Sequence, residues 1–323
     1  MTKILFSLLV LLSSVSVSFS QEKDKRIDSA FRYIDDRNHG KAINIYNRIL
    51  AAEPKNARVY QLRGLAYEEM KDYESALRDF NSSIAADRTY WLAYLRRADL
   101  FSMGEVWDEA LKDYDMAQRY ANKDSANDIE TILVNRSTIK KRLKNTEGAV
   151  DDLRKALEVN PTSIGALVNL GAYLSELNKT EEAIQCLEKV IKLDSTFEGG
   201  YGNLAFLYSE TGEYKKALDI SNKLLSFKPD EAFALNNRGY IKYKMKDYSG
   251  ALEDINNSIL NSPTNSYAFR NRGLVYIALK KNREACADFQ KALTLGFTEE
   301  FGDEVQNLVK QYCGKPAEAS KGL

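Results

Sequence analysis

The chain of 323 residues contains a single histidine, three cysteines and five prolines. One histidine cannot supply an imidazole cluster for a metal, nor does it offer a convincing nucleophile–base pair. No glycine-rich phosphate loop is present. His39 itself falls in a predicted turn, Asn38-His39-Gly40, where a solvent-facing side chain is expected. Charge of one sign is lacking too, because 46 basic residues balance 46 acidic ones. A nucleic-acid binder that relies on phosphate contacts would carry a basic excess or stripe, and none is seen. The carboxylate neighbours Glu68/Glu69 and Asp151/Asp152 point in different directions on a helix and read as a solvated face. No enzymatic activity, cofactor or metal site is expected.

What is present is a period. Alanine recurs at Ala42, Ala76, Ala110, Ala149, Ala183, Ala217, Ala251 and Ala285, at spacings of 34 residues broken once by a spacing of 39. With each alanine at position 20, eight units begin at Lys23, Ala57, Trp91, Glu130, Ile164, Glu198, Ala232 and Ser266. Position 8 is then always small (Ala30, Gly64, Ala98, Ser137, Gly171, Ala205, Gly239, Gly273). Apolar residues at positions 4, 7, 8 and 11 and at 20, 21, 24 and 27 follow the period of two amphipathic helices. Each unit is a predicted helix-turn-helix, and small residues at positions 8 and 20 let its two helices approach closely. Stacked units share a continuous core, which overrides the two-domain expectation from length alone.

This pattern resembles the tetratricopeptide repeat, most clearly in Arg63-Gly64-Leu65-Ala66-Tyr67 followed by Tyr73-Glu74-Ser75-Ala76-Leu77-Arg78-Asp79-Phe80. The resemblance spans about residues 23 to 297 and implies an all-α, right-handed superhelical solenoid of eight repeats. Repeats one to three cover 23–124, an insertion 125–129 interrupts the period with a kink or slack, and repeats four to eight cover 130–298. A capping helix is expected over 299–313, with Phe301, Val305, Leu308 and Tyr312 on one side, followed by a disordered tail at 314–323.

Residues 1–20 read as a signal peptide. Lys3 precedes the short apolar run Ile4 to Leu12, and small residues Ser18 and Ser20 stand third and first before a cut between Ser20 and Gln21. The run is well short of the roughly 20 residues that span a bilayer, so no membrane insertion is expected after cleavage. The leader and the ending, from Cys286 to Cys313, resemble exported repeat proteins of Gram-negative bacteria, which implies a periplasmic or extracellular location.

Export makes the cysteines informative. Cys186, on an apolar helix face, reads as a buried thiol. Cys286 takes position 21 of the last repeat, and in the repeat geometry the end of a following helix lies beside it. A Cys286–Cys313 disulfide is therefore expected. A second pattern joins positions 7 and 23. Arg63, Arg97, Arg136, Arg238 and Arg272 occupy position 7 where Asp79, Asp113, Asp152, Asp254 and Asp288 occupy position 23. In repeats five and six the two positions hold Leu170 with Cys186 and Leu204 with Ile220. Switching together implies contact, and fivefold repetition favours structural ion pairs over catalysis.

Functional expectation rests on the first helix of each repeat, whose positions 2, 5, 6, 9, 12 and 13 line the concave surface in this family. Position 6 carries Asn135, Asn169, Asn203, Asn237 and Asn271. A side-chain amide donates and accepts, so such a ladder can grip any peptide backbone, as a similar ladder does elsewhere in the family. Asparagine is also the ordinary residue at this position in many such repeats, and both readings stay open. Phe206, Phe233, Tyr240, Tyr243, Tyr267 and Arg270 surround the last three asparagines, with aromatic and arginine anchors that suit a binding groove or, alternatively, pack between repeats. No repeat has lysine at position 5 with asparagine at 9, which disfavours the carboxylate clamp of heat-shock co-chaperones. The reading is a non-catalytic scaffold that binds an extended peptide or protein segment in the groove of repeats five to eight. Alternatives are an envelope assembly or secretion factor using its convex face, and carbohydrate binding by the groove aromatics. Sequence leaves the oligomeric state and the partner's identity open.

Overall fold

The structure, a computed structural model, describes residues 25–122, 126–298 and 302–314. The expected leader, most of the expected tail and Phe301 of the expected cap lie outside the described residues. The chain divides into two compact units between Leu177 and Asn178, in the turn of the fifth repeat.

The first unit is a series of antiparallel helix pairs: α1 (Lys25–Asp35) with α2 (His39–Ala52), α3 (Ala57–Glu69) with α4 (Tyr73–Ala86), α5 (Trp91–Met103) with α6 (Trp107–Tyr120), and α7 (Ala126–Arg142) with α8 (Thr146–Val159), followed by α9 (Ile164–Glu176). The second unit runs through α10 (Thr180–Leu193), then α11 (Glu198–Glu210) with α12 (Tyr214–Phe227), α13 (Ala232–Lys244) with α14 (Tyr248–Asn261), and α15 (Ser266–Ala278) with α16 (Asn282–Thr294). It ends with α17 (Glu304–Tyr312). The described residues contain no strand.

Every helix pair closes through the same device. Position 15 adopts a left-handed backbone, from Arg37 (φ +55°) and Lys71 (φ +62°) to Lys246 (φ +66°) and Lys280 (φ +60°). The next amide reaches back five residues, as Asp72 N does to Tyr67 O at 2.9 Å and Glu213 N to Tyr208 O at 2.8 Å, which satisfies carbonyls the helix end would otherwise leave open. That next residue then begins the following helix, and Asn38, Asp72, Asn145 and Asp247 cap it with their side chains. Only the sixth repeat uses glycine at position 15, Gly212 at φ +79°. Since no atom lies within 4 Å of an added Cβ there, Gly212→Ala tests backbone conformation alone. It is expected to cost about 1 kcal/mol, read as a lower urea midpoint, while Lys246→Gly shifts the midpoint the other way. Equal midpoints for all three proteins would sink this account.

Within a pair, position 8 meets position 24. A Cβ on Gly64 would lie 2.5 Å from a ring carbon of Phe80, so the fully buried ring leaves room only for glycine. The position-20 alanines from Ala42 to Ala285 are all completely buried at the same crossing.

All five arginine–aspartate pairs form, and they are bidentate. Arg63 donates from Nε and Nη2 to Asp79 Oδ2 and Oδ1, both at 2.7 Å, and Arg97, Arg136, Arg238 and Arg272 repeat this geometry at 2.6 to 2.8 Å. The carboxylates are buried, while the guanidinium groups are buried or nearly so. The Asp79 hydrogen bonds hold the Arg63 pKa above its ordinary value despite partial burial. A further partner was not anticipated. Each arginine turns Nη1 to position 25 of the preceding repeat: Asn47, Asn81, Asp115, Asn222 or Asn256. The pair thus clips two helices of one repeat together and ties them to the repeat before. A signal for this was in the sequence, because position 25 is Arg154 and Glu188 where the next repeat has Leu170 and Leu204 at position 7.

Three expectations are corrected. Residues 126–129 of the insertion are helical, so α7 has 17 residues where α3, α5 and α9 have 13. The expected cap is not one continuous helix over its described part, because Gly302 turns left-handed at φ +78° and α17 begins at Glu304. Val305 is buried beside Phe289 and Phe297, with Leu308 and Val309 packed on the same cluster, whereas Tyr312 is exposed. His39 opens α2 instead of lying in the turn, and its half-buried ring places Nδ1 3.2 Å from Glu69 Oε2. The Cys286–Cys313 disulfide joins α16 to the end of α17, and Cys186 is half-buried on α10.

Candidate functional site

In the second unit α11, α13 and α15 are the first helices of consecutive repeats, with α11 touching α13 and α13 touching α15. Their aromatic residues divide by exposure. Phe206, Phe233 and Tyr267 are 55, 45 and 37% exposed. Tyr267 keeps one edge against the buried Phe297 ring, with centroids 5.4 Å apart. Tyr240 and Tyr243 are half-buried and lie ring to ring at 6.0 Å, and Tyr243 also meets Tyr248 at 6.2 Å. Burial raises the Tyr243 phenol above its usual range, so it remains a neutral donor and acceptor at neutral pH.

The asparagines do not share one environment. Asn203 is exposed, and Asn237 is half-buried, accepting from Asn236 Nδ2 at 3.3 Å. Asn271 is buried, donates to Asn236 Oδ1 at 2.9 Å and accepts from Arg270 Nη1 at 2.7 Å. Its amide is thereby spent within the chain, since position 5 of the preceding repeat happens to be a buried asparagine. Asn236 was not singled out from the sequence, and only its contact with the next repeat reveals it.

The repeat geometry now stands beside what other proteins show. Tetratricopeptide repeat models match residues 57–90, 131–163, 199–231 and 269–295, and a second model of the repeat matches 153–185. The chain belongs to the tetratricopeptide repeat family. Mouse (Mus musculus) DnaJ homolog subfamily C member 7 is 33% identical over 82 residues, 24% of this chain and 17% of that protein. Small glutamine-rich tetratricopeptide repeat-containing protein 2 of Saccharomyces cerevisiae is 28% identical over 140 residues, 41% of this chain and 39% of that protein. The chain spans less than two fifths of either relative. A tetratricopeptide repeat protein from Parabacteroides merdae has a similar structure, with a TM-score of 0.66 at 22% identity over 79% of this chain and 98% of that one. YrrB, a tetratricopeptide repeat protein with an unusual peptide-binding site, has a TM-score of 0.52 at 19% identity over 59% of this chain and 95% of its own. These likenesses carry the fold alone.

In the first unit some of the polar side chains at tetratricopeptide inner-face positions are engaged within the chain. Asn135 Nδ2 donates to Asp99 Oδ1 at 3.3 Å, and Tyr114 Oη donates to the same oxygen at 2.7 Å. Asn169 is half-buried on α9. Burial raises the pKa of Asp99, and likewise that of Glu68, whose Oε2 is buried and accepts no hydrogen bond. Because the folded-state value of Glu68 lies above its unfolded one, the folded chain holds more protons and stability falls as pH rises through that interval. Glu68→Gln is therefore expected to raise the melting temperature at neutral pH. The gain should shrink as pH drops toward the ordinary glutamate value of about 4.3. A melting series of both proteins checks this, and a gain independent of pH contradicts it. Among the described residues no group of three or more His, Cys, Asp or Glu side chains is arranged to hold a metal ion.

Proposed function

We propose that the second unit binds an extended segment of another protein along the face formed by α11, α13 and α15. The observation that carries this reading is the exposure of Phe206, Phe233 and Tyr267 on the first helices of three consecutive repeats. Large rings standing in water on rigid helices lose little conformational entropy on binding and are the usual anchors of interfaces. Among the position-6 asparagines of this unit, Asn203 is the one exposed to a peptide backbone, with Asn237 half-open beside it. The aromatic side chains therefore carry the affinity and the asparagines supplement it. A disulfide in the last repeat fits an oxidising compartment, in line with the leader-like residues 1–20 and a periplasmic or extracellular location.

The test is site-specific photocrosslinking, with a benzophenone side chain placed at Phe206, at Phe233 or, as a control on a second helix, at Leu260, which is 77% exposed. Partner adducts at the first two positions and none at the third support the reading. Adducts at Leu260 alone would move the interface to the second helices.

A further inference from the structure

Five position-7 arginines show how this chain satisfies a guanidinium: Nε and Nη2 together grip both oxygens of one carboxylate. Arg270, at position 5 of the last repeat, departs from that pattern. Its Nη1 donates to Asn271 Oδ1 at 2.7 Å, its plane lies over the Tyr240 ring at 5.4 Å, and Nη2 donates to Glu304 of α17. Its Nε–H is buried and meets no acceptor. Glu304 therefore engages one corner of a fork made for two oxygens. It does so from a side chain that is 47% exposed, whereas Arg270 is only 15% exposed.

The geometry points to Arg270 as the recognition site for an acidic side chain, Asp or Glu, of the bound segment, with Glu304 as the internal occupant that it displaces. This rests on the binding face proposed above, to which Arg270 belongs through Tyr240 and its own helix. Asn271 and Tyr240 hold the guanidinium in place whether or not Glu304 is present. A carboxylate arriving on the Nε/Nη2 edge would satisfy the buried donor and form the bidentate pair that the other five arginines make. Exchange replaces one carboxylate by another on the same guanidinium, so Arg270 is not left without a counter-ion, and Glu304, the more exposed partner, is released to water. The Cys286–Cys313 bond keeps α17 attached while Glu304 swings out. A terminal carboxylate offers the same chemistry, but a segment running along the face presents side chains, and the assignment is to these.

The test uses the full chain and fluorescein-labelled libraries of short random peptides, acetylated and amidated, with the central residue held as Glu, Gln or Lys. A further Gln library carries a free C-terminal carboxylate. Retention of the Glu library is expected to exceed that of the Gln and Lys libraries by about tenfold, the value of a charge-assisted hydrogen bond. Glu304→Gln should raise Glu retention severalfold, and Arg270→Gln should abolish the preference. Arg270→Lys keeps the charge but loses the fork, and is expected to keep only part of it. Should Arg270→Gln fail to fold, the gain in Glu304→Gln still decides. Equal retention of Glu and Gln peptides, lost in Phe206→Ala and Phe233→Ala, would overturn the acidic reading and leave the face standing. Preference for the free C-terminus alone would overturn it as well, and no retention of any library would overturn both.

Discussion

Asp152→Ala is expected to destabilise the first unit by about 3 to 5 kcal/mol, more than any other single side-chain deletion discussed here. The Asp152 carboxylate is 1% exposed and accepts from Arg136 Nε at 2.8 Å and Nη2 at 2.6 Å, while Lys140 Nζ stands 2.8 Å from Oδ2. Removing it strands a guanidinium that is itself 8% exposed beside an ammonium, so two like charges face each other without their common counter-ion. Asp115 still holds one edge of Arg136, at 2.8 Å, which keeps the loss below that of a wholly isolated charge. A contrasting control is Glu74→Ala. Glu74 pairs with Arg78 across one helical turn with both side chains largely open to water, and its loss should cost less than about 1 kcal/mol. Urea unfolding of both proteins separates the two cases, and similar midpoints would mean that the buried pair contributes no more than a surface one.

Cys313→Ser, or reduction of the wild-type chain, is expected to remove about 3 to 4 kcal/mol from the last repeat and its cap. The bond closes a loop of sequence separation 27, and the chain-entropy cost of leaving that loop open sets the magnitude. The effect should be local. In a repeat array each repeat contacts only its neighbours, so α16 and α17 loosen while the first unit keeps its protection. Amide hydrogen exchange reads this directly: faster exchange across Ala285 to Tyr312 with unchanged exchange in α2 to α8. Uniform acceleration through both units would show that the terminus governs the whole chain. Faster exchange confined to α17 would mean that the bond pins only the cap.

Much of this architecture was legible before any coordinate, because a repeat lets a chain be compared with itself. Small residues at position 8 and alanine at position 20 imply close helix pairs, and the joint switch of positions 7 and 23 names five ion pairs, all of which form. The cysteine pairing followed from the same periodicity. The turn geometry was hidden, since arginine, lysine, glutamate and asparagine stand at position 15 where a left-handed backbone would suggest glycine. There the hydrogen bonds of the helix end overrule residue preference. The helical part of the insertion was hidden as well, because Asn127 and Asp128 are weak helix formers on their own, yet residues 126–129 belong to α7.

The site was legible in outline only. Periodicity places Asn271, Tyr240 and Arg270 on one stripe, but it assigns every member of the stripe the same exposure. Which amides stay open depends on neighbours outside the period: Asn236 consumes Asn271, and Glu304, from a helix beyond the last repeat, engages Arg270. Sequence by itself determined the repeat, the helix pairs, the buried ion pairs and the disulfide, because each is a short-range contact written eight times or at a fixed spacing. Only the tertiary structure decided which inner-face side chains are spent and which are open, because that depends on contacts made once, between residues that no repeat relates.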